Sequence, residues 1–297
     1  MRKRTWFILS ATILILGTFG AARLSAQEPS ASGQVRGISA YGEFRGSDSS
    51  RTGQVLLWDT SVGYDFNQHF GLDVGIPVYM LRSTVDPTTA HPWEKHIGDP
   101  YFDLRWTFNN PALNYATFVT VSVPASETGA FSTGRLGVEW YNHFSHAFGG
   151  VFEPYVNAGI GDGILDTRLM SQPYHLVQSF KTLGFIATVE PGATIRLNKR
   201  FKVGGSYYRF LPAGNQKAYN GIQNFFLQPN GPFTVADITH DYGETAFVRM
   251  SLNRFLYLEP GYVHSQRLHD NSVTFRVGLD FKAMFDRSRD NSTTGMR

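Results

Sequence analysis

From about Gln34 to Phe281, roughly twelve segments of about ten residues alternate apolar with polar side chains, and the links between them alternate between tight turns and longer polar gaps. In an extended chain, successive side chains point to opposite faces. Leu56, Trp58, Thr60, Val62, Tyr64 and Phe66 therefore share one face, opposite Val55, Leu57, Asp59, Ser61, Gly63 and Asp65. After Asn67-Gln68-His69, the next segment sets Phe70, Leu72, Val74, Ile76, Val78 and Met80 against Gly71, Asp73, Gly75, Pro77 and Tyr79. Phe102, Leu104, Trp106 and Phe108 oppose Asp103, Arg105 and Thr107, and Leu136, Val138 and Trp140 oppose Arg135, Gly137, Glu139 and Tyr141. Near the end, Val273, Phe275, Val277, Leu279 and Phe281 oppose Thr274, Arg276, Gly278 and Asp280. Charged residues and glycines keep to one side. The pattern predicts an all-β fold, a transmembrane up-and-down antiparallel β-barrel of about twelve strands. A soluble sandwich also alternates, but needs no wide apolar band ending in aromatic rings.

Tight turns are expected at Asn67–His69, Asn109–Asn114, Ser145–Gly150, Leu197–Arg200 and Asn253-Arg254, and the wider gaps at 46–53, 82–98, 125–134, 162–180, 211–243 and 265–271. Phe70, Tyr115, Phe148, Phe201 and Phe255 sit at or just after the tight turns, where rings form an interfacial girdle. Pro154, Pro191 and Pro260 fall within strands and cannot donate to the ladder, so each implies a bulge or a hydrogen-bond gap. Each follows a glutamate. Alternation turns the prolines towards lipid and places Glu153, Glu190 and Glu259 in the lumen, in its periplasmic half.

The ends read as export. Arg2, Lys3 and Arg4 precede an apolar run, Trp6 to Phe19, and Leu24-Ser25-Ala26 offers a cleavage site before Gln27. The expected organisation is a signal peptide over 1–26, a short periplasmic segment over 27–33, a barrel over 34–282 and a polar tail over 283–297. Residues 1–26 hold Arg2, Lys3, Arg4 and Arg23 and no acid. Of the 27 lysines and arginines, 23 therefore remain against 24 acids, a net charge of −1. The basicity belongs to the leader, so a nucleic-acid partner loses its support. The absence of cysteine suits an oxidising periplasm without disulfides, and excludes a lipid anchor at the cleavage point. The mean hydropathy of −0.22 is compatible with a barrel, whose lumen and loops are polar.

Motifs for chemistry are weak. Gly159-Ile160-Gly161-Asp162-Gly163 lacks the helix that a phosphate loop opens. His91 and His96 are five residues apart around Pro92, which does not suit a shared helical face, and His143 and His146 flank a tight turn. Asp237, His240, Asp241 and Glu244 could clasp calcium, but read more simply as an acidic loop. His264 and Ser265 are adjacent without a third triad member. No catalytic residue, metal site or cofactor is assigned. The residues expected to line a permeation path are Glu153, Glu190, Glu259, Arg105, Arg135 and Arg249. Loop 211–243, with Tyr219, Phe225 and Phe226, is expected to fold inwards as a constriction.

Three stretches carry a resemblance: Gly98-Asp99-Pro100-Tyr101-Phe102-Asp103-Leu104-Arg105-Trp106, Phe118-Val119-Thr120-Val121-Ser122-Val123-Pro124-Ala125 and Gly134-Arg135-Leu136-Gly137-Val138. In them the chain resembles outer-membrane barrels of the family named for the MetA pathway of phenol degradation. The resemblance implies uptake of small solutes, aromatic or hydrophobic compounds among them. It supplies no catalytic residues to carry over. The expectation is thus a monomeric barrel in the cell outer membrane, not an enzyme, giving small solutes passive passage. Its partners would be outer-membrane lipid and lipopolysaccharide, the barrel-insertion machinery and a small-molecule permeant. A closed structural or adhesive barrel is the alternative, with a barrel-type lipid or lipopolysaccharide hydrolase behind it.

Overall fold

The computed structural model describes residues 37–49, 53–82, 92–125, 132, 134–162, 180–220 and 234–281. The expected signal peptide, the segment 27–33 and the tail 283–297 lie outside these residues, as do His91, Phe225 and Phe226. The strands are β1 (Gly37–Ser49), β2 (Gly53–Asp65), β3 (Phe70–Arg82), β4 (Glu94–Ile97), β5 (Tyr101–Asn109), β6 (Asn114–Ser122), β7 (Gly137–Ser145) and β8 (Phe152–Gly161). They continue with β9 (Phe180–Leu183), β10 (Ile186–Arg196), β11 (Phe201–Pro212), β12 (Lys217–Asn220), β13 (Tyr242–Ser251), β14 (Leu256–Ser265) and β15 (Asp270–Asp280), with a short helix α1 (Val235–Thr239) before β13.

Twelve of the strands close an antiparallel ring in the order β1, β2, β3, β5, β6, β7, β8, β10, β11, β13, β14, β15. Closure is made by β1 against β15, from Tyr41 opposite Asp280 to Ser49 opposite Ser272. The remaining short strands are accessories: β4 extends the loop end of β3, and β9 pairs with β12 in a separate two-stranded sheet. A closed ring leaves no edge, which is why only such sheets can cross hydrocarbon.

Burial runs inside out, as the alternation requires. Trp58, Val62, Ile76, Leu104, Val138 and Trp140 are exposed on the outer face, whereas Glu43, Arg45, Asp59, Asp103, Glu259 and Arg276 are buried within. Where a ring needs a polar partner on the outside, one is supplied: Trp140 Nε1 donates to Thr117 Oγ1 at 2.8 Å. At the short-turn end the rings meet edge to edge and face to face. Phe70 stacks on Trp106 (5.9 Å), Trp106 meets Tyr115 (5.9 Å), and Tyr115 stacks on Phe144 (4.8 Å).

Four of the short turns repeat one device. Asn67 Oδ1 accepts from the amides of His69 (2.7 Å) and Phe70 (2.9 Å), Asn110 Oδ1 from Ala112 (2.8 Å) and Leu113 (2.7 Å), and Asn198 Oδ1 from Arg200 (2.8 Å) and Phe201 (3.0 Å). Asn253 Oδ1 accepts from Phe255 at 2.9 Å. The side chain thus satisfies amides that the tight reversal leaves without a ladder partner. The turn between β7 and β8 has no such asparagine and uses Gly149 and Gly150, at φ of +58° and +68°.

Two expectations are refined. The gap expected over 46–53 is mostly strand, because β1 and β2 stay paired from Gly37 opposite Asp65 to Ser49 opposite Gly53. Ser47 and Ser49 read as loop residues, but they face inwards, and Ser49 Oγ donates to Asp270 Oδ2 at 2.6 Å. Pro191 and Pro260 make hydrogen-bond gaps and no bulges, whereas Pro154 stays paired in register opposite Ala193 with neither. Beside Pro191 the β10–β11 pairing resumes in the same register, from Val189 opposite Arg209 to Gly192 opposite Ser206. Beside Pro260 the β13–β14 pairing does likewise, from Phe247 opposite Gly261 to Met250 opposite Leu258.

Candidate functional site: the barrel interior

The interior has two unlike walls. Over β13, β14, β15, β1 and β2, inward charges form one connected network. Arg249 Nε lies 2.6 Å from Glu259 Oε2, Arg276 lies 3.4 Å from Glu259 Oε1 and 3.8 Å from Glu43 Oε1, and Arg45 Nε lies 2.9 Å from Glu43 Oε1. Arg45 also faces Asp59 at 3.8 Å, and Tyr101 donates to Asp59 Oδ1 at 3.0 Å. The hydroxyls of Tyr41 and Tyr257 both donate to Glu43 Oε2 at 2.8 Å, and the Arg249 guanidinium stacks 4.7 Å from the Tyr257 ring. Arg45, Asp59 and Glu259 are at most 1% exposed, so this wall is packed, not wet. Buried charges of this kind persist only when paired and hydrogen-bonded.

The second wall, β7 to β11, is built differently. His143 Nδ1 and Asn157 Oδ1 are 2.7 Å apart, Asn157 Nδ2 donates to Glu190 Oε2 at 3.0 Å, and Ser206 Oγ donates to Glu190 Oε1 at 2.5 Å and lies 2.6 Å from Thr245 Oγ1. With the Asn157 nitrogen turned to Glu190, its oxygen must accept, so His143 carries its proton on Nδ1. Between the walls, Arg105 pairs with Asp65 and faces Asp73 at 3.8 Å, and Thr120 donates to Asp103.

Inward aromatic rings lie flat against the wall over glycines of the neighbouring strand. A Cβ on Gly192 would stand 2.4 Å from Tyr155 Cζ, on Gly204 2.5 Å from Phe247 Cζ, on Gly278 2.2 Å from Tyr257 Cε1, and on Gly75 2.2 Å from the Tyr101 hydroxyl. Gly98, in the Gly98-Asp99-Pro100 stretch, does the same for Tyr79 at 2.5 Å, and Asp99 Oδ1 accepts from the Ala125 amide at 3.0 Å. That stretch is thus structural, docking loop to strand. At the loop end the inward face turns apolar, with Val55, Leu57, Tyr79 and Leu81 in one cluster and Ile186, Tyr208, Phe210, Phe247 and Val263 in another.

Five of the six expected lining residues face inwards. Glu259 and Arg249 share the packed network, and Arg105 pairs with Asp65. Glu153 accepts from Ser145 (2.9 Å) and faces Lys202 (3.8 Å), and Glu190 joins the polar chain. Glu190 stands near the middle of β10, higher than the short-turn half expected for it. Arg135 is placed elsewhere: β7 begins at Gly137, and Arg135 lies exposed at the loop rim with bonds of 2.7 and 2.6 Å to Asp162. Strand pairing starts only at Gly137, so the alternation of β7 does not extend back to Arg135. Tyr219 lies on β12, opposite Lys181 of β9.

The acidic loop is held by the protein's own donors. Asp237 accepts from the Thr234 amide at 2.9 Å and faces Arg267 at 3.2 Å, and Asp241 accepts from Ser265 (2.5 Å) and Tyr208 (2.9 Å). The Thr234 amide bond, with the Thr234 hydroxyl and Arg267, holds the Asp237 carboxyl below its usual range, against the modest effect of its burial. Ser265 is buried within, whereas His264 is turned the other way and contacts Asn271, so the two are not brought together. The signals missed in the sequence were the asparagine turns and the glycine–ring pairs; both were visible as residues, but only the pairing shows what they face.

No protein-family model and no curated protein sequence matches this chain. Among solved structures it is similar to the COG4313 outer membrane channel from Pseudomonas putida F1, with 9% identity over 89% of this chain and 98% of that one and a TM-score of 0.52. It also matches the KdgM porin in complex with disordered oligogalacturonate (6% identity, 80% and 98% covered, TM-score 0.47) and the NanC porin (10%, 80% and 98%, TM-score 0.47). At such identities the likeness speaks for the fold. The chain is a closed twelve-stranded antiparallel barrel of the outer-membrane type.

Proposed function

We propose that this chain is an outer-membrane channel that gives small solutes passive passage. The observation that carries the reading is the pairing of an apolar outer face with a polar inner face that keeps solvent exposure along β10 and β11, where Thr188, Glu190, Gly192, Gly204 and Ser206 are all partly exposed. An interior of twelve strands lies between the filled eight-stranded barrels and the wide channels of sixteen or more, and a wall filled by a salt-bridge network narrows it further. Passage is therefore restricted to small solutes driven by their own gradient. The apolar clusters at the loop end favour solutes with an apolar surface, in keeping with the aromatic or hydrophobic compounds that the family resemblance implies. The chain would reach the membrane by a cleaved leader over 1–26 and work as a monomer amid lipid and lipopolysaccharide.

Swelling of liposomes holding the refolded chain tests this: small neutral solutes should enter faster than into empty liposomes, with the rate falling steeply as solute size rises. Equal rates with and without the protein would reject it. The packed network favours a second reading, a closed barrel that serves as structure, and that same null result would support it.

A further inference from the structure

We infer that passage runs off-centre, along β8, β10 and β11, and that Glu190 makes it prefer cations to anions; the inference rests on the channel reading above. In the middle of the barrel, the inward residues of β1, β2 and β7 are buried, as are Tyr155 and Asn157 of β8, but Gly159 at the upper part of β8 and Thr188, Glu190, Gly192, Gly204 and Ser206 on β10 and β11 keep exposure. All of these except Glu190 are small or uncharged. The space along this sector exists because Tyr155 and Phe247 are laid flat on Gly192 and Gly204 and do not project inwards.

The charge balance sets the sign. Between the strand ends, the inward cations each face a carboxylate: Arg45 faces Glu43 and Asp59, Arg105 faces Asp65 and Asp73, Lys202 faces Glu153, Arg249 faces Glu259, and Arg276 faces Glu43 and Glu259. Among the described residues, Glu190 is hydrogen-bonded only by the neutral donors Asn157 and Ser206. Arg276 acts on it from further off, and its guanidinium is already bound on the opposite wall. Neutral donors fix the position of a carboxylate without cancelling its charge, so a permeating ion in this sector meets a negative field wherever that carboxylate is ionised. Fixed carboxylates at a constriction attract cations and repel anions. The chemical class favoured is a small monovalent cation or a small solute carrying an ammonium group.

The test is the reversal potential of the refolded full chain in a planar bilayer under a potassium chloride gradient. A shift towards the potassium equilibrium potential is expected, and its loss in Glu190→Gln. Conduction with a chloride preference, or a potassium preference that Glu190→Gln leaves unchanged, would overturn the inference while leaving the channel reading intact. A silent bilayer despite confirmed insertion would overturn both. Should Glu190→Gln fail to fold, Thr188→Cys in this cysteine-free chain decides. A cationic methanethiosulfonate should block it faster than an anionic one, and equal rates would overturn the inference.

Discussion

Adding one methyl group at Gly278 should cost the barrel far more than its size suggests. The Cβ would stand 2.2 Å from Tyr257 Cε1, 2.4 Å from Cζ and 2.6 Å from the hydroxyl, so the ring must move by more than about 1 Å to restore van der Waals contact. Moving it breaks two things at once: the hydroxyl's 2.8 Å bond to Glu43, and the stacking of Arg249 on the ring face. A hydrogen bond to a charged group contributes about 1.5–3 kcal/mol, and a cation–π contact about 0.5–2 kcal/mol. Part of this is recovered by relaxation, so Gly278→Ala should destabilise by about 2–4 kcal/mol, at the upper end of ordinary overpacking. The assay is urea unfolding of the protein in lipid vesicles, followed by tryptophan fluorescence. The double-mutant cycle with Tyr257→Ala isolates the steric cause: once the ring is gone, the atoms nearest the added methyl group go with it, and the substitution should cost about 0.5 kcal/mol or less. Additive effects in the cycle, or a Gly278→Ala cost near zero, would refute the view that these glycines exist to seat the rings.

Other outcomes are expected from the same geometry. Arg276→Ala leaves Glu43 and Glu259 without a shared cation inside the packed wall and should destabilise by about 3–5 kcal/mol, whereas Arg135→Ala at the exposed rim should cost about 1 kcal/mol or less; parallel urea titrations compare them. Asn67→Ala removes the acceptor for two turn amides and should cost about 1 kcal/mol, seen as faster hydrogen exchange at His69 and Phe70. Because the Asp237 carboxyl is held below its usual range, its contribution is present above the unfolded value and is lost as pH falls through the native one. The short helix α1 should therefore open on acidification, and Asp237→Asn should flatten that pH dependence in exchange measurements.

The strands and their faces were legible because the period of two is imposed on every spanning segment by lipid on one side and polar interior on the other. Trp58 and Asp59 are neighbours in sequence and opposites in burial for that reason. The ends of strands were less legible. Ser47 to Ser49 have loop composition yet continue β1, since the rim of a barrel lets inward serines pair with a distant partner such as Asp270. Arg135 was misplaced because parity was carried back beyond Gly137, where β7 and its pairing begin. The four-residue strands β4, β9 and β12 are too short to show a period at all. The interior network could not be read either. Its bonds join Glu43 to Arg276 and Tyr257 across the seam where first and last strands meet, and no local pattern encodes which acid faces which base.

Single-channel recording of the refolded chain in a planar bilayer bears most directly on the central claim, that this closed barrel holds a narrow water-filled path. The account predicts discrete steps of low conductance. Insertion confirmed by protease protection, with no steps at any voltage, would contradict it and leave a barrel whose interior is packed shut.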